Sequence, residues 1–180
     1  MASLKEKALL VALIERMCEK GSWCGETHIQ KTVYFGRELF GLPINIEFIL
    51  YKHGPFSFEL RDELDVMQAE GLLRQEVQPH PYGPTLAPGP LAKTLKDQFP
   101  KTIGQYRARI AFLGENVANR RAAELERIAT ALFVTRQLRG RGSPRDRAKA
   151  LTEVKPHISI YVYSRLRLQM EAALHASRRE

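Results

Sequence analysis

Seven consecutive apolar residues, 8–14, stand near the start of the chain and give way at once to Glu15 and Arg16. A helix apolar around its whole circumference belongs in an interior, so residues 8–17 predict a mostly buried first helix, ended by Gly21. Thr27-His28-Ile29-Gln30 has the form of a capping box, a threonine hydroxyl taking a first-turn amide while a glutamine reaches back. A second helix is expected from about His28 to Phe40, with Ile29, Val33, Tyr34 and Phe40 inward and Gly41-x-Pro43 closing it.

The period then changes from helical to alternating. Residues 45–51 place Ile46, Phe48 and Leu50 on one face, a strand signal, and His53-Gly54-Pro55 breaks the strand. Ser57 is a good N-cap for a third helix carrying Leu60, Leu64 and Met67, with Gly71 as its C-cap. Residues 72–78 read as a strand, 79–84 as a tight turn and 85–87 as a short return strand. Helix, helix, strand, helix and hairpin are the parts of a winged helix-turn-helix. The expected fold is mainly α with a small antiparallel β-hairpin, a winged-helix-like domain over residues 1–99 carrying a helical extension over 100–180.

After Pro88 and Pro90 the pattern turns wholly helical. A short helix over 91–99 meets a break at Pro100, and 117–138 carries Leu125, Ile128 and Leu132 on one stripe. Ser143-Pro144 opens a short helix to Glu153, and Pro156 opens a last one with Ile158, Val162, Leu166, Met170 and Leu174 four apart. Gly140-Arg141-Gly142 is the most flexible point.

Charge sharpens this division. Residues 1–100 hold 11 Lys and Arg against 13 Asp and Glu, whereas 101–180 hold 17 against 7, a net of +10. Arg136, Arg139, Arg141, Arg145 and Arg147 crowd one stretch, with Arg165 further on, a field suited to nucleic acid or an acidic protein face. The third helix is the opposite: Glu59, Asp62, Glu63, Asp65 and Glu70 against Arg61 alone, a net of −4. In a winged helix-turn-helix this element would read DNA, but phosphates repel it, and a basic protein partner is the better match. At 44% hydrophobic the chain can bury a core, while its longest apolar run is far short of the roughly 20 residues a bilayer requires. The N-terminus shows no signal-peptide pattern, and two cysteines are too few for a disulfide scaffold. A soluble, cytoplasmic protein is expected.

No catalytic constellation stands out. His53 and Ser57 would need contact and a third orienting group, and Ser57 already has a structural task as a cap. Cys18, Cys24 and His28 follow a C-x5-C-x3-H spacing unlike the common structural zinc sites, so the thiols read as small hydrophobes packed beside Trp23, and neither metal nor cofactor is expected. There is no phosphate-cradling glycine loop. Tyr161 and Tyr163, beside Arg165 and Arg167, have the aromatic-plus-basic character that stacks bases, but read first as the edge of the last helix's apolar stripe.

Two blocks carry a resemblance: Thr27-His28-Ile29-Gln30-Lys31 with Tyr34-Phe35, and Tyr51-Lys52-His53-Gly54-Pro55-Phe56-Ser57 followed by Leu60, Leu64, Gly71 and Leu72. Residues 27–73, and more weakly a stretch to about 133 that includes Leu125–Phe133, resemble the Panacea domain, the SocA-type antitoxin family with its YwgA-like relatives. Leu86-Ala87-Pro88-Gly89 departs from the pattern, with alanine where those relatives carry threonine. The resemblance implies a mostly helical domain acting by protein contact, as a toxin neutraliser or proteolytic adaptor, and brings no catalytic residues. The expected function is a non-enzymatic interaction module whose partner is a toxin, a protease or a larger assembly, met through Glu59, Asp62, Glu63 and Asp65. The alternative is a DNA- or RNA-binding regulator or phage-defence subunit gripping phosphates through the C-terminal arginines.

Overall fold

The computed structural model describes residues 1–137. Helix α1 (Leu4–Glu19) is the axis of the core, with residues 8–14 all at most 8% exposed. A helix buried on every side needs neighbours on every side, and α1 has them: α5 (Pro100–Asn116), α4 (Ala92–Gln98) and strand β4 (Thr85–Pro88). Its start is a capping box, Ser3 Oγ accepting from the Glu6 amide while Glu6 Oε2 accepts from the Ser3 amide at 2.8 Å. Lys7 opens the apolar run yet is buried, its ammonium 3.2 Å from Glu63 and 2.6 Å from Glu70.

Helix α2 (Glu26–Phe40) starts at Glu26, with Gly25 as its N-cap and no side-chain cap. The capping box expected at Thr27 and Gln30 is therefore absent. Gln30 is fully buried and turns inward, its amide donating to the Ser57 carbonyl at 2.9 Å and accepting from the Ser57 amide at 3.0 Å. A buried Ser57 N–H that would otherwise lack a partner outweighs a first-turn cap that water can replace. Gly41 ends the helix in the left-handed region at φ +60°.

The strand expected over 45–51 keeps its alternation, Ile46 and Phe48 being buried, but pairs only as β1 (Ile49–Tyr51). His53-Gly54-Pro55 does more than break it. Lys52 and His53 form a turn, and Gly54–Phe56 returns as β2 in register Ile49 with Phe56 and Tyr51 with Gly54. Ser57 caps α3 (Phe58–Ala69) as expected, its Oγ accepting from the Leu60 amide at 3.1 Å, and Gly71 follows at φ +70°. β3 (Leu73–Glu76) pairs antiparallel with β4, Leu73 opposite Pro88.

Pro100 is the first residue of α5, where its missing N–H had no intrahelical partner to lose. The next helix, α6 (Ala122–Gln137), begins later than residue 117. α6 packs on α2 and β2, and Ile110, Leu113, Leu125, Ile128 and Phe133 enter the same core as α1–α3. The described chain is thus mainly helical, with two separate two-stranded antiparallel sheets. Among its residues no helix is long and apolar enough to cross a membrane. The segments beginning at Ser143 and Pro156, and the glycine pair at 140 and 142, lie outside the described residues.

Candidate functional site

The alternation that buries Ile46 and Phe48 turns Ile49 and Tyr51 outward, at 45% and 43% exposure. The hairpin register sets Phe56 opposite Ile49, and the start of α3 adds Phe58, 39% exposed. Three rings thereby meet at the surface. Their centroids lie 5.8 Å apart for Tyr51 and Phe56, 5.5 Å for Tyr51 and Phe58, and 5.1 Å for Phe56 and Phe58, the last two edge-on as ring quadrupoles favour. Arg61, one helical turn on, sets its guanidinium 5.0 Å from the Phe58 ring centre and 5.8 Å from that of Phe56. Lys52 stands 5.9 Å from the Tyr51 ring centre.

The acidic residues of α3 divide. Asp62 is exposed, 4.0 Å from Arg61, and Asp65 accepts from Gln68 at the surface. Glu59 is also exposed, and its carboxylate holds the Glu47 amide at 3.0 Å. Glu63 leaves that face: it is 5% exposed, paired with Lys7, and accepts from the Ala2 amide at 2.7 Å. The helical repeat puts residue 63 on the same side as Leu60, Leu64 and Met67, so the docking of α1 takes it. Burial disfavours the Lys7 charge, but hydrogen bonds to Glu70 and Glu63 outweigh this and hold its pKa above the ordinary lysine value.

Beneath the rings the two sequence blocks of the resemblance touch. Gln30 grips the Ser57 backbone, and the ammonium of Lys31, 1% exposed, donates to the Pro55 carbonyl at 2.8 Å. Gly54 and Pro55 are buried, so these two motif residues build the platform on which the rings stand, the half-buried Phe56 being one of those rings. Thr27 lines a cavity of about 470 Å³ with Trp23, His28, Arg61 and Asp65, adjoining the ring cluster at Arg61. His53 and Ser57 are not assembled for catalysis: Ser57 is 1% exposed and occupied as a cap, while the largely exposed His53 ring stands 3.4 Å from Glu126. Among the described residues no cluster of three His, Cys, Asp or Glu side chains is placed to hold a metal.

Arg136 pairs with Glu38 through its carboxylate at 3.8 Å and its backbone carbonyl. Arg139, Arg141, Arg145, Arg147 and Arg165 lie outside the described residues. The ring cluster was missed from sequence, although a signal existed: Ile49 and Tyr51 are bulky apolar residues on the polar phase of an alternating segment. No protein-family model matches this sequence, and no curated protein matches it.

Proposed function

We propose that this chain is a non-enzymatic protein-interaction module, antitoxin- or adaptor-like, that docks a partner through the Tyr51–Phe56–Phe58–Arg61 cluster. The carrying observation is this exposed aromatic group with an arginine stacked on it, the residue types that supply most binding energy at protein interfaces. Asp62 and Asp65 border it, with Glu59 close by, so the partner offers an apolar pocket with a basic rim and is a toxin, a protease or a larger assembly, met as by an antitoxin or adaptor of the Panacea type. In this reading α1–α3 and the β3–β4 hairpin form a winged-helix-like half whose third helix, being acidic, meets protein rather than DNA.

The test is affinity capture by the tagged full chain in its native host after nuclease treatment, comparing wild type with Tyr51→Ala/Phe58→Ser/Arg61→Glu. A nuclease-resistant partner should fall at least about tenfold in the triple variant. Val77→Ala, a 91% exposed control, should retain it. Equal capture by a folded triple variant refutes the assignment. Partners lost on nuclease treatment favour the second reading, phosphate binding by the +10 segment 101–180, whose salt slope Arg139→Ala/Arg141→Ala/Arg145→Ala would flatten.

A further inference from the structure

The two cysteines, six positions apart in sequence, stand 3.1 Å apart, Sγ to Sγ, about 1 Å outside a disulfide bond length, and both are free. Cys18 lies in the last full turn of α1 and Cys24 in the connection to α2, immediately before Gly25. The contact is held from several directions. The Cys24 carbonyl accepts from the Leu86 amide at 3.0 Å, its own amide donates to Ser22 Oγ at 3.4 Å, and Cys18 Sγ lies 3.5 Å from the Leu86 carbonyl oxygen. Cys24 sits at φ +51°, a left-handed conformation that non-glycine residues seldom hold, so the backbone is bent where it brings the second sulfur to the first.

The two thiols are not equivalent. Cys24 is 2% exposed, whereas Cys18 is half-buried, and a cavity of about 500 Å³ lined by Ser22, Trp23, His28 and Arg120 reaches both. The hydrogen bond from the Cys24 thiol lowers the Cys18 pKa against the opposing effect of burial, and the same bond, with burial, raises that of Cys24. This is the arrangement of an accessible attacking sulfur backed by a resolving one.

We propose that Cys18 and Cys24 form a reactive dithiol site whose substrates are low-molecular-weight disulfides. Cys18 thiolate attacks one sulfur of the disulfide, whose S–S bond breaks and releases one small thiolate. Cys24 then attacks Cys18 sulfur in the mixed disulfide, expelling the second small thiolate and closing a Cys18–Cys24 bond. Two protein thiols are oxidised, one small disulfide is reduced, and the two thiol protons end on the two released thiols. Closure ties the Trp23 loop to the end of α1.

Reduced full-length chain incubated without oxygen with oxidised glutathione, then alkylated and weighed intact, tests this. The expected product is lighter by two hydrogens, accepts no alkyl group and stays uncrosslinked. Trypsin, cutting after Arg16, Lys20 and Lys31, should leave peptide 17–20 joined to peptide 21–31. Cys24→Ser should stop at a glutathione adduct on Cys18. Wild-type chain that retains two alkylatable thiols, halts at the adduct with Cys24 alkylatable, or crosslinks between molecules overturns the proposal, and these wild-type outcomes hold whether or not the variant folds.

Discussion

Replacing Gln30 tests the joint on which the ring cluster stands. Its side chain is fully buried and satisfies both backbone groups of Ser57, itself 1% exposed. Gln30→Leu keeps the volume and removes both bonds, leaving the buried Ser57 N–H without a partner, while the Ser57 carbonyl keeps the Arg61 amide at 3.2 Å. At about 1–3 kcal/mol for the orphaned N–H and about 0.5–1.5 kcal/mol for the bond lost at the carbonyl, the expected loss is about 2–4 kcal/mol. Gln30→Ala adds a cavity and should lose about 2–5 kcal/mol more. Gln30→Glu keeps an acceptor for the Ser57 amide but turns an oxygen toward its carbonyl, a clash that only protonation relieves. Its carboxyl pKa is therefore raised on folding, so the penalty is full at neutral pH and shrinks as pH falls toward the ordinary glutamate value of about 4.3. Urea unfolding followed by far-ultraviolet circular dichroism reads these losses as shifts in midpoint at constant slope. A loss below about 1 kcal/mol for Gln30→Leu, with unchanged slope, would refute the claim that this pair locks the hairpin and α3 to α2.

Two further outcomes follow from individual contacts. Gly54 sits at φ +84°, and a Cβ there would stand 2.6 Å from Thr130 Oγ1 and 3.3 Å from the Glu126 carbonyl. Gly54→Ala should lower stability by about 2–4 kcal/mol in a thermal melt, and Gly54→Ala/Thr130→Ala should recover only the part due to the clash, leaving the left-handed penalty. Burial lowers the His28 pKa below the ordinary 6.5, against the raising effect of its bond to the Arg120 carbonyl. Below pH 6.5 the unfolded chain takes up a proton that the folded chain refuses, so stability should fall as pH drops through 6.5 toward the folded value. The same urea midpoints measured across that range should flatten in His28→Gln, and an unchanged slope there would show that His28 is not the group responsible.

Much of the fold was readable along the chain because local rules and tertiary demands agree there. Residues 8–14 are apolar on all sides and stand at the centre of the core. Ser57 has no task that competes with capping and caps α3. Gly41 and Gly71 end their helices at positive φ, as left-handed stops require. Where local and tertiary demands conflict, the local reading fails. Gln30 has the spacing of a capping box but is taken by Ser57, while the capping box that forms, Ser3 with Glu6, had the same spacing just ahead of the apolar run. The hairpin return at Gly54–Phe56 was hidden because Gly-Pro reads as a stop, and its pairing with β1 depends on α2 and α6 packing against it.

Spacing and composition within a few turns were enough to place α1, α2 and α3 and their inward residues, and to set an acidic third helix apart from a basic C-terminal segment. Only the tertiary structure decided which charges are surface and which are structure. Glu63, unlike Asp62 and Asp65, faces α1, where Lys7 takes it. Likewise it decided that Tyr51, Phe56, Phe58 and Arg61 converge on one exposed patch and that Cys18 meets Cys24. Such juxtapositions depend on how elements dock and loops return, and burial rewards the docked arrangement as a whole rather than any one of its residues.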